Sequence, residues 1–254
     1  MSTFTVKTLM EWCKTEAFTR YLPRDVDTDA YAQNVATYFK NQSDKTVQSG
    51  RGHPILACSE SSVKTALIDI ARMGLELGVR PAEVNIQARW NRNLGPNGGA
   101  EAEVQEEYRG LLRLIRESIP VKTIHADVVY RNDEFHPNFD GGNVSLVHRP
   151  DLLGPRSDND IVASYVIVTS LDGQCYFAWC DVGELKKREA QGGPVWKKWK
   201  VPMCTKSAIR KLGMSGRIPL SGGAAAYVER ELDRDTEAAE PEPETRTAAD
   251  FLDE

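Results

Sequence analysis

The spacing of apolar residues changes from a helical to an alternating period partway along this chain, and the change limits the folds available to it. Between residues 29 and 39, helical spacing is shown by Tyr31, Val35, Tyr38 and Phe39. Further on, Val84–Trp90 and Ala102–Glu107 each alternate apolar and polar residues, and the stretch between them is rich in glycine and asparagine. The pattern predicts an amphipathic helix followed by an antiparallel hairpin.

The remaining segments follow the same two periods. A helix is expected from Ser59 or Ser61, either of which can cap it, to Gly78. The residues after the hairpin predict a short helix whose apolar face carries Tyr108, Leu111, Leu112 and Ile115. Strands are predicted at Thr123–Tyr130, Val144–His148, Val162–Ser170 and Cys175–Trp179, the last two joined by a turn at Asp172-Gly173. Helices are predicted at Glu184–Ala190 and from about Pro202 to Gly213. The order predicts an α+β fold with a largely antiparallel β-sheet, packed helices and a helical N-terminal region.

Composition excludes several classes of protein. The chain has 254 residues, of which 41% are hydrophobic, enough for a sizeable core. No apolar run approaches the roughly 18 residues of a membrane span, and the first residues lack the apolar centre of a signal peptide. The five cysteines are scattered without a CxxC pair, which favours reduced thiols. We therefore expect a cytoplasmic protein without a membrane partner.

Charge is distributed unevenly along the chain. Between Lys186 and Arg217 there are ten basic residues against Glu189 alone, a net charge of +9 in a chain whose total is −5. Tryptophans interrupt this basic run, and bases can stack on such side chains while the cations bind phosphates. The segment predicts a single-stranded nucleic-acid ligand.

The C-terminal end carries the opposite charge. From Glu229 to Glu254 there are eleven acidic and three basic residues, a net charge of −8, and we find no apolar period in its second half. We therefore expect an acidic disordered tail over residues 222–254, either a solubilising segment or a competitor for the basic surface. The body divides into a helical region at 1–55 and a DNA-binding core at 56–221.

Candidate binding residues follow from this charge pattern. Arg109, Arg113 and Arg116 share one helix face, and Lys206 and Arg210 share another, so two helices could line one groove. A solvated face is the alternative for the arginines, and a place in the core is the alternative for each tryptophan. The expected phosphate contacts are Arg109, Arg113, Arg116, Lys197, Lys198, Lys200, Lys206, Arg210 and Lys211. The expected stacking residues are Tyr108, Trp196 and Trp199.

The sequence patterns that would indicate catalysis are weaker than the charge pattern that indicates binding. Asp172 followed by Glu184-Leu-Lys186 has the residue types of a metal-dependent nuclease, in which two carboxylates hold the metal and a lysine orients water. In such a site the acids lie on adjoining strands, whereas Asp172 falls in a turn and Glu184 falls at the start of a predicted helix. The histidines lack zinc-ligand spacing, and there is no GxxxxGK[ST] phosphate loop, so we expect neither zinc nor ATP.

An ordered set of short motifs resembles the RecT family of phage recombination proteins. In chain order these motifs are Ala71-Arg-Met-Gly74-Leu75, Tyr108-Arg-Gly110-Leu-Leu, Ala126-Asp-Val-Val-Tyr130-Arg-Asn-Asp133-Glu-Phe135, His148-Arg-Pro150, Trp196, Met203-Cys-Thr-Lys206 and Pro219-Leu220-Ser221. Where the family often has Lys-Lys-Thr, this chain has Thr205-Lys206-Ser207, so one lysine of that pair carries over.

The resemblance implies a non-enzymatic protein that anneals single-stranded DNA without ATP, with a divalent cation at most modulating the annealing. It also implies an annealed duplex intermediate and a homo-oligomer in rings or helical filaments. The implied partners are a 5′→3′ exonuclease and the single-strand-binding protein of a bacterial host. A passive single-strand coating protein remains an alternative. We expect the helix at 29–39 to lie either on a neighbouring subunit or on its own domain.

Overall fold

The N-terminal helices fold onto the rest of the chain. The computed structural model describes residues 4–49, 54–78, 81–94, 98–140, 143–220 and 222–239. Helix α1 (Val6–Trp12) is capped by Thr5, α2 (Glu16–Thr19) is a single turn, and α3 (Thr28–Ser49) is the long helix of the region.

The apolar face of α3 is covered within the chain. Val35 and Phe39 are fully buried, and the Tyr31 ring packs against Phe18 in a tilted arrangement with ring centroids 5.5 Å apart. The Tyr38 hydroxyl donates to the Ile86 carbonyl (3.0 Å) and accepts from the Ile86 amide (2.8 Å), which ties α3 to the hairpin. In the single chain this face therefore packs on its own domain, which is the second of the two expectations for this helix.

Helix α4 and the first hairpin come next. Helix α4 (Glu60–Met73) begins after Ser59, whose side chain accepts from the Ser62 amide, and ends at Gly74 with φ +67°. The expected end at Gly78 is wrong because Gly74 already takes the left-handed conformation that stops a helix. Strands β1 (Val84–Asn91) and β2 (Gly99–Glu106) pair antiparallel, as the alternating pattern predicted.

The main sheet has three strands in the order β3-β6-β7, all antiparallel. These strands are β3 (Val121–Tyr130), β6 (Ile161–Ser170) and β7 (Cys175–Asp181), and helix α5 (Tyr108–Ser118) precedes them. One face of the sheet is covered by a second hairpin, β4 (Glu134–Asp140) and β5 (Asn143–Arg149), in which Phe135 and Leu146 pack near buried Tyr165. The strand over β4 was missed because Pro137 interrupts its pattern.

The other face of the sheet carries a helix that bears four of the candidate residues, Lys200, Lys206, Arg210 and Lys211. Helices α6 (Val182–Gln191) and α7 (Pro194–Lys198) lead into α8 (Lys200–Met214). Cys204, Ala208 and Leu212 of α8 are fully buried, and the Ser164 hydroxyl of β6 donates to the Cys204 carbonyl at 2.8 Å. The α+β architecture with antiparallel sheets and N-terminal helices is thus confirmed.

The C-terminal segment is not the disordered tail expected over 222–254, because residues 223–239 form helix α9 (Gly223–Ala239). Ala224, Tyr227 and Glu231 are buried at 7%, 3% and 1% exposure, so α9 has a helical inner face in which one position is a carboxylate. Gly223 abuts the Met73 carbonyl with no room for a Cβ, so α9 packs closely on the end of α4. The net charge of the segment gave no indication of this buried face. Residues 240–254 lie outside the part of the chain that the structure describes.

All five cysteines are unpaired, and burial raises the pKa of Cys58 and of Cys204 to about 11, which keeps both as thiols at neutral pH. Among the described residues, no helix is both long and apolar enough to cross a bilayer.

Candidate nucleic-acid interface

A cleft of about 340 Å³ separates α6–α8 from the first hairpin and α9. Lys206 and Arg210, one turn apart on α8, point into it from one side. The other cations that line it are Arg89, Arg188 and Arg234, and the lining acids are Glu103, Glu106 and Glu231. The cleft is therefore basic but already contains carboxylates.

A buried ion network closes the far side of this cleft. The side chain of Glu231 is 1% exposed and contacts three guanidinium groups: Arg210 in a short contact, Arg230 at 2.9 Å and Arg234 at 3.1 Å. Arg230 also pairs with Glu106, and Arg234 with Glu103, so α9 is joined to both α8 and β2. Removal of one member would leave several buried charges without compensation.

The pKa shifts in this network follow from burial and pairing. Burial raises the pKa of the Glu106 carboxyl above its usual value, although Arg230 acts in the opposite direction. Burial alone would lower the pKa of Arg234, but Glu103 and Glu231 together raise it. Burial thus outweighs pairing in its effect on the pKa of Glu106, and pairing outweighs burial in its effect on the pKa of Arg234.

Four further candidate cations also have carboxylate partners within the chain. Lys206 Nζ lies 3.9 Å from Glu107, and Lys200 Nζ lies 3.0 Å from Glu189. Lys211 donates to both carboxylate oxygens of Glu184 at 2.7 Å. Arg113 donates at 2.8 Å to both Glu83 and Glu117. With Arg210, five of the nine expected phosphate contacts are paired.

The other four candidates are exposed, and no ion pair is formed by them within the described ranges: Arg109, Arg116, Lys197 and Lys198. Beside the two lysines, Trp199 is 54% exposed, and Lys198 Nζ lies 5.4 Å from the centre of its ring. Tyr108, at the start of α5, is 38% exposed. Unpaired charge and an exposed ring coincide at the end of α7.

The expectation that Trp196 stacks on bases is wrong, because its side chain is only 3% exposed. It packs with Val128, Leu185 and Cys204, and a Cβ at Gly192 would clash with its ring. Helix α7 ends at Lys198, and Trp199 has non-helical backbone angles of φ −133° and ψ 49°. The two tryptophans therefore point in different directions, which their spacing in the sequence did not show.

The arginines of α5 and the cations of α8 do not form the two walls of one groove. Arg113 lines a separate pocket with Glu76 and Leu77, whereas α5 turns Leu111 and Ile115 toward Ile209 of α8. Helix α5 reaches the cleft through Leu111, and Glu107, the residue before α5, is the acidic partner of Lys206. Sequence reasoning missed Arg89, Arg188 and Arg234 as cleft residues, although Arg188 belongs to the basic segment.

The residues of the nuclease pattern are far apart. Asp172 lies in the turn before β7, where it accepts from Gln174, and Glu184 lies after the other end of β7, where it forms a capping box with Asp181. A strand of this length spans about 20 Å. The described residues contain no cluster of three His, Cys, Asp or Glu side chains able to hold a metal ion.

Comparison with known proteins identifies the family. The model of the RecT family matches residues 33–244. The chain is also similar to Protein RecT of Escherichia coli (strain K12), with 27% identity over 160 residues that cover 61% of this chain and 57% of that protein. The matched region thus spans a little over half the length of this relative. Since the family model covers most of the chain, including α9, the protein belongs to the RecT family.

Proposed function

We propose that this protein binds single-stranded DNA and pairs it with a complementary strand, without ATP, in homologous recombination. The observation that carries the proposal is the exposed basic end of α7, next to the cleft of α8, in a member of the RecT family. Lys197, Lys198 and Trp199 offer two unpaired charges and one exposed ring to a strand.

The cleft would add contacts with phosphates once the strand is held. The ion pair of Lys206 is long, at 3.9 Å, so a phosphate can replace Glu107 at little cost. Arg210 differs, because its partner Glu231 is almost fully buried. We therefore assign Lys206 to DNA and give Arg210 a structural role as well, in place of the purely DNA-binding role predicted from the sequence.

Annealing then needs no bond to be made or broken. Neutralised phosphates reduce the repulsion between two strands, and base pairing supplies the free energy. The bound strand must keep its bases accessible, which distinguishes an annealing protein from a coating protein. No side chain is given a catalytic role, and a divalent cation would act only through the DNA.

Two complementary labelled oligonucleotides, mixed with and without the protein in the absence of ATP, test the proposal. Faster duplex formation is the expected result. Slower pairing with tight binding would indicate a passive coating protein. Shortened strands in the presence of magnesium, lost in Glu184→Ala, would indicate a nuclease.

Assembly and partners belong to the same proposal. We place the protein in the cytoplasm of a bacterial host, as a homo-oligomer in rings or filaments on DNA, working with a 5′→3′ exonuclease and the host single-strand-binding protein. Its subunit contacts would use surfaces other than the inner face of α3, which is buried. Light scattering with and without single-stranded DNA tests this, and a monomer under both conditions would contradict it.

A further inference from the structure

Two large aromatic side chains are exposed side by side at the edge of the main sheet. Phe139 of β4 is 51% exposed and Trp179 of β7 is 41% exposed, and their ring centroids lie 5.7 Å apart. Phe177, which is buried, stacks against Trp179 with centroids 5.6 Å apart and planes 30° from parallel. Exposed aromatic pairs of this size are costly to leave in water and mark binding sites more often than isolated residues do.

These rings border a cavity of about 420 Å³, here called the aromatic pocket, lined by Phe139, Phe177, Trp179, Val144 and Arg217 together with Cys175 and Tyr176. No acidic side chain of the described residues lines it. The Arg217 guanidinium donates to the Phe177 carbonyl at 2.8 Å, which fixes a positive charge at the rim. The pocket therefore combines flat apolar walls with one anchored cation.

The architecture explains why the rings are presented in this way. Along β7, Phe177 and Trp179 are two residues apart and so lie on the same face of the sheet. Strand β7 is at the edge of the sheet, and the hairpin β4–β5 ends beside it, so Trp179 is supported by Phe177 below but left open on its outer side. The site is preformed, because its floor belongs to the core.

The aromatic pocket and the basic cleft flank the same helix. Lys211 Nζ of α8 lies 5.8 Å from the centre of the Trp179 ring, while Arg210, the preceding residue, lines the cleft. Lys211 is held there by Glu184 and adds little free charge. A ligand of the pocket is therefore recognised chiefly through its flat faces, not through phosphates.

Resting on the proposed binding of single-stranded DNA, we infer that the aromatic pocket takes an unpaired base of that DNA. Base faces stack on aromatic rings without regard to sequence, and Arg217 matches a phosphate next to the stacked base. Arg217 already donates to the Phe177 carbonyl at the edge of β7. This contact disfavours the pairing of a further protein strand with β7. The pocket thus gives the protein a contact with DNA that is separate from the cations of α7 and α8.

The test measures binding of an oligothymidylate of about 30 nucleotides at low and high salt. Trp179→Ala and Phe139→Ala should each weaken binding about tenfold at both salt concentrations, and Trp179→Phe should retain most of the affinity. The slope of affinity against salt should not change, since no phosphate contact is lost. Val147→Ala and Leu171→Ala, which shorten exposed apolar side chains on the same hairpin and in the turn between β6 and β7, are the matched controls.

A second measurement locates the base directly. DNA carrying 5-iododeoxyuridine should crosslink under ultraviolet light to the peptides that contain Phe139 or Trp179, and thermal unfolding should show that each variant is folded. Unchanged affinity of both alanine variants, or crosslinks only elsewhere, would overturn the pocket while leaving the proposed function intact. A changed oligomer size with unchanged affinity would assign the pocket to subunit contacts instead. Absence of any DNA binding by the unaltered protein would refute the proposed function itself.

Discussion

The cations of α8 and those of α7 come from one basic segment but differ in what they already contact. Arg210 of α8 faces Glu231, which is 1% exposed, and Lys211 faces Glu184 at 2.7 Å. Lys197 and Lys198 of α7 are exposed, and neither pairs with a carboxylate of the described residues. The net charge of +9 in the sequence therefore overstates the charge that a ligand meets, because part of it holds the fold together.

This difference also divides the roles of the two sets. A paired and buried cation must lose its carboxylate before it can bind a phosphate, and that exchange leaves a buried charge behind. An exposed lysine loses only water and counterions when it binds. We expect changes around α9 to alter stability first, and changes at Lys197 and Lys198 of α7 to alter DNA binding alone.

The largest effect should come from truncation within α9. Ending the chain after Val228 removes Arg230, Glu231 and Arg234. Glu106 and Arg210 then lose their partners, and Glu103 keeps only Arg89. We expect a chain that is largely unfolded or aggregated, seen by circular dichroism and size-exclusion chromatography.

Ending the chain after Ala239 is the matched control, since it keeps the whole of α9. This shorter truncation should leave the melting temperature unchanged. If residues 240–254 compete with DNA for the basic surface, it should also tighten binding at low salt only. A stable, folded protein after truncation at Val228 would refute the structural role of α9.

A single substitution at the centre of the network should have the next largest effect. Glu231→Gln removes the charge shared by three arginines while keeping the shape of the side chain. We expect the free energy of unfolding to fall by about 3–5 kcal/mol, the usual cost of breaking a buried ion pair. Urea denaturation measures it.

Glu229→Gln provides the comparison on the same helix. Its side chain is 58% exposed and pairs with Arg72 at the surface, so the loss should be below about 1 kcal/mol. Equal effects of the two substitutions would mean that burial does not separate them, and the comparison between α8 and α7 would fail.

Apart from β4, the strands and the middle helices were predicted from the sequence, because their patterns are local. The alternation at Val84–Trp90 and the helical spacing of Leu111 and Ile115 each reflect a single period. Such a period can be recognised within a few neighbouring residues. Helix α9 was missed because its inner face includes Glu231, whose burial depends on one arginine of α8 and two of α9. Such compensation between distant residues has no local signal.

The candidate site could be predicted only in part, again because contacts between distant residues have no local signal. Lys206 and Arg210 could be chosen by charge, but their partners could not, since Glu107 and Glu231 are far from them in the sequence. The aromatic pocket joins Phe139 to Trp179 across two separate sheets. Only the fold brings these residues together.

A moderate effect on DNA binding is expected from the exposed lysines. In the double variant Lys197→Ala with Lys198→Ala, the slope of log affinity against log salt should become shallower by about 1.4, because two phosphate contacts are lost. Stability should not change. Fluorescence anisotropy of labelled single-stranded DNA between 50 and 200 mM salt, about the range in which such slopes are measured, gives the slope. Lys40→Ala, an exposed lysine of α3, is the control, and an equal effect there would remove the special role of α7.

The smallest effect distinguishes a loosely paired cation from a tightly paired one on the same helix. Lys206→Ala should make the salt slope shallower by about 0.7, the contribution of one phosphate, because the 3.9 Å pair with Glu107 yields to DNA. Lys200→Ala should leave the slope unchanged, since Lys200 is 19% exposed and held by Glu189 at 3.0 Å. The same anisotropy titrations measure both variants. If Lys200→Ala changed the slope as much as Lys206→Ala, an existing carboxylate partner would not decide which cations reach the DNA, and exposure and charge alone would define the interface.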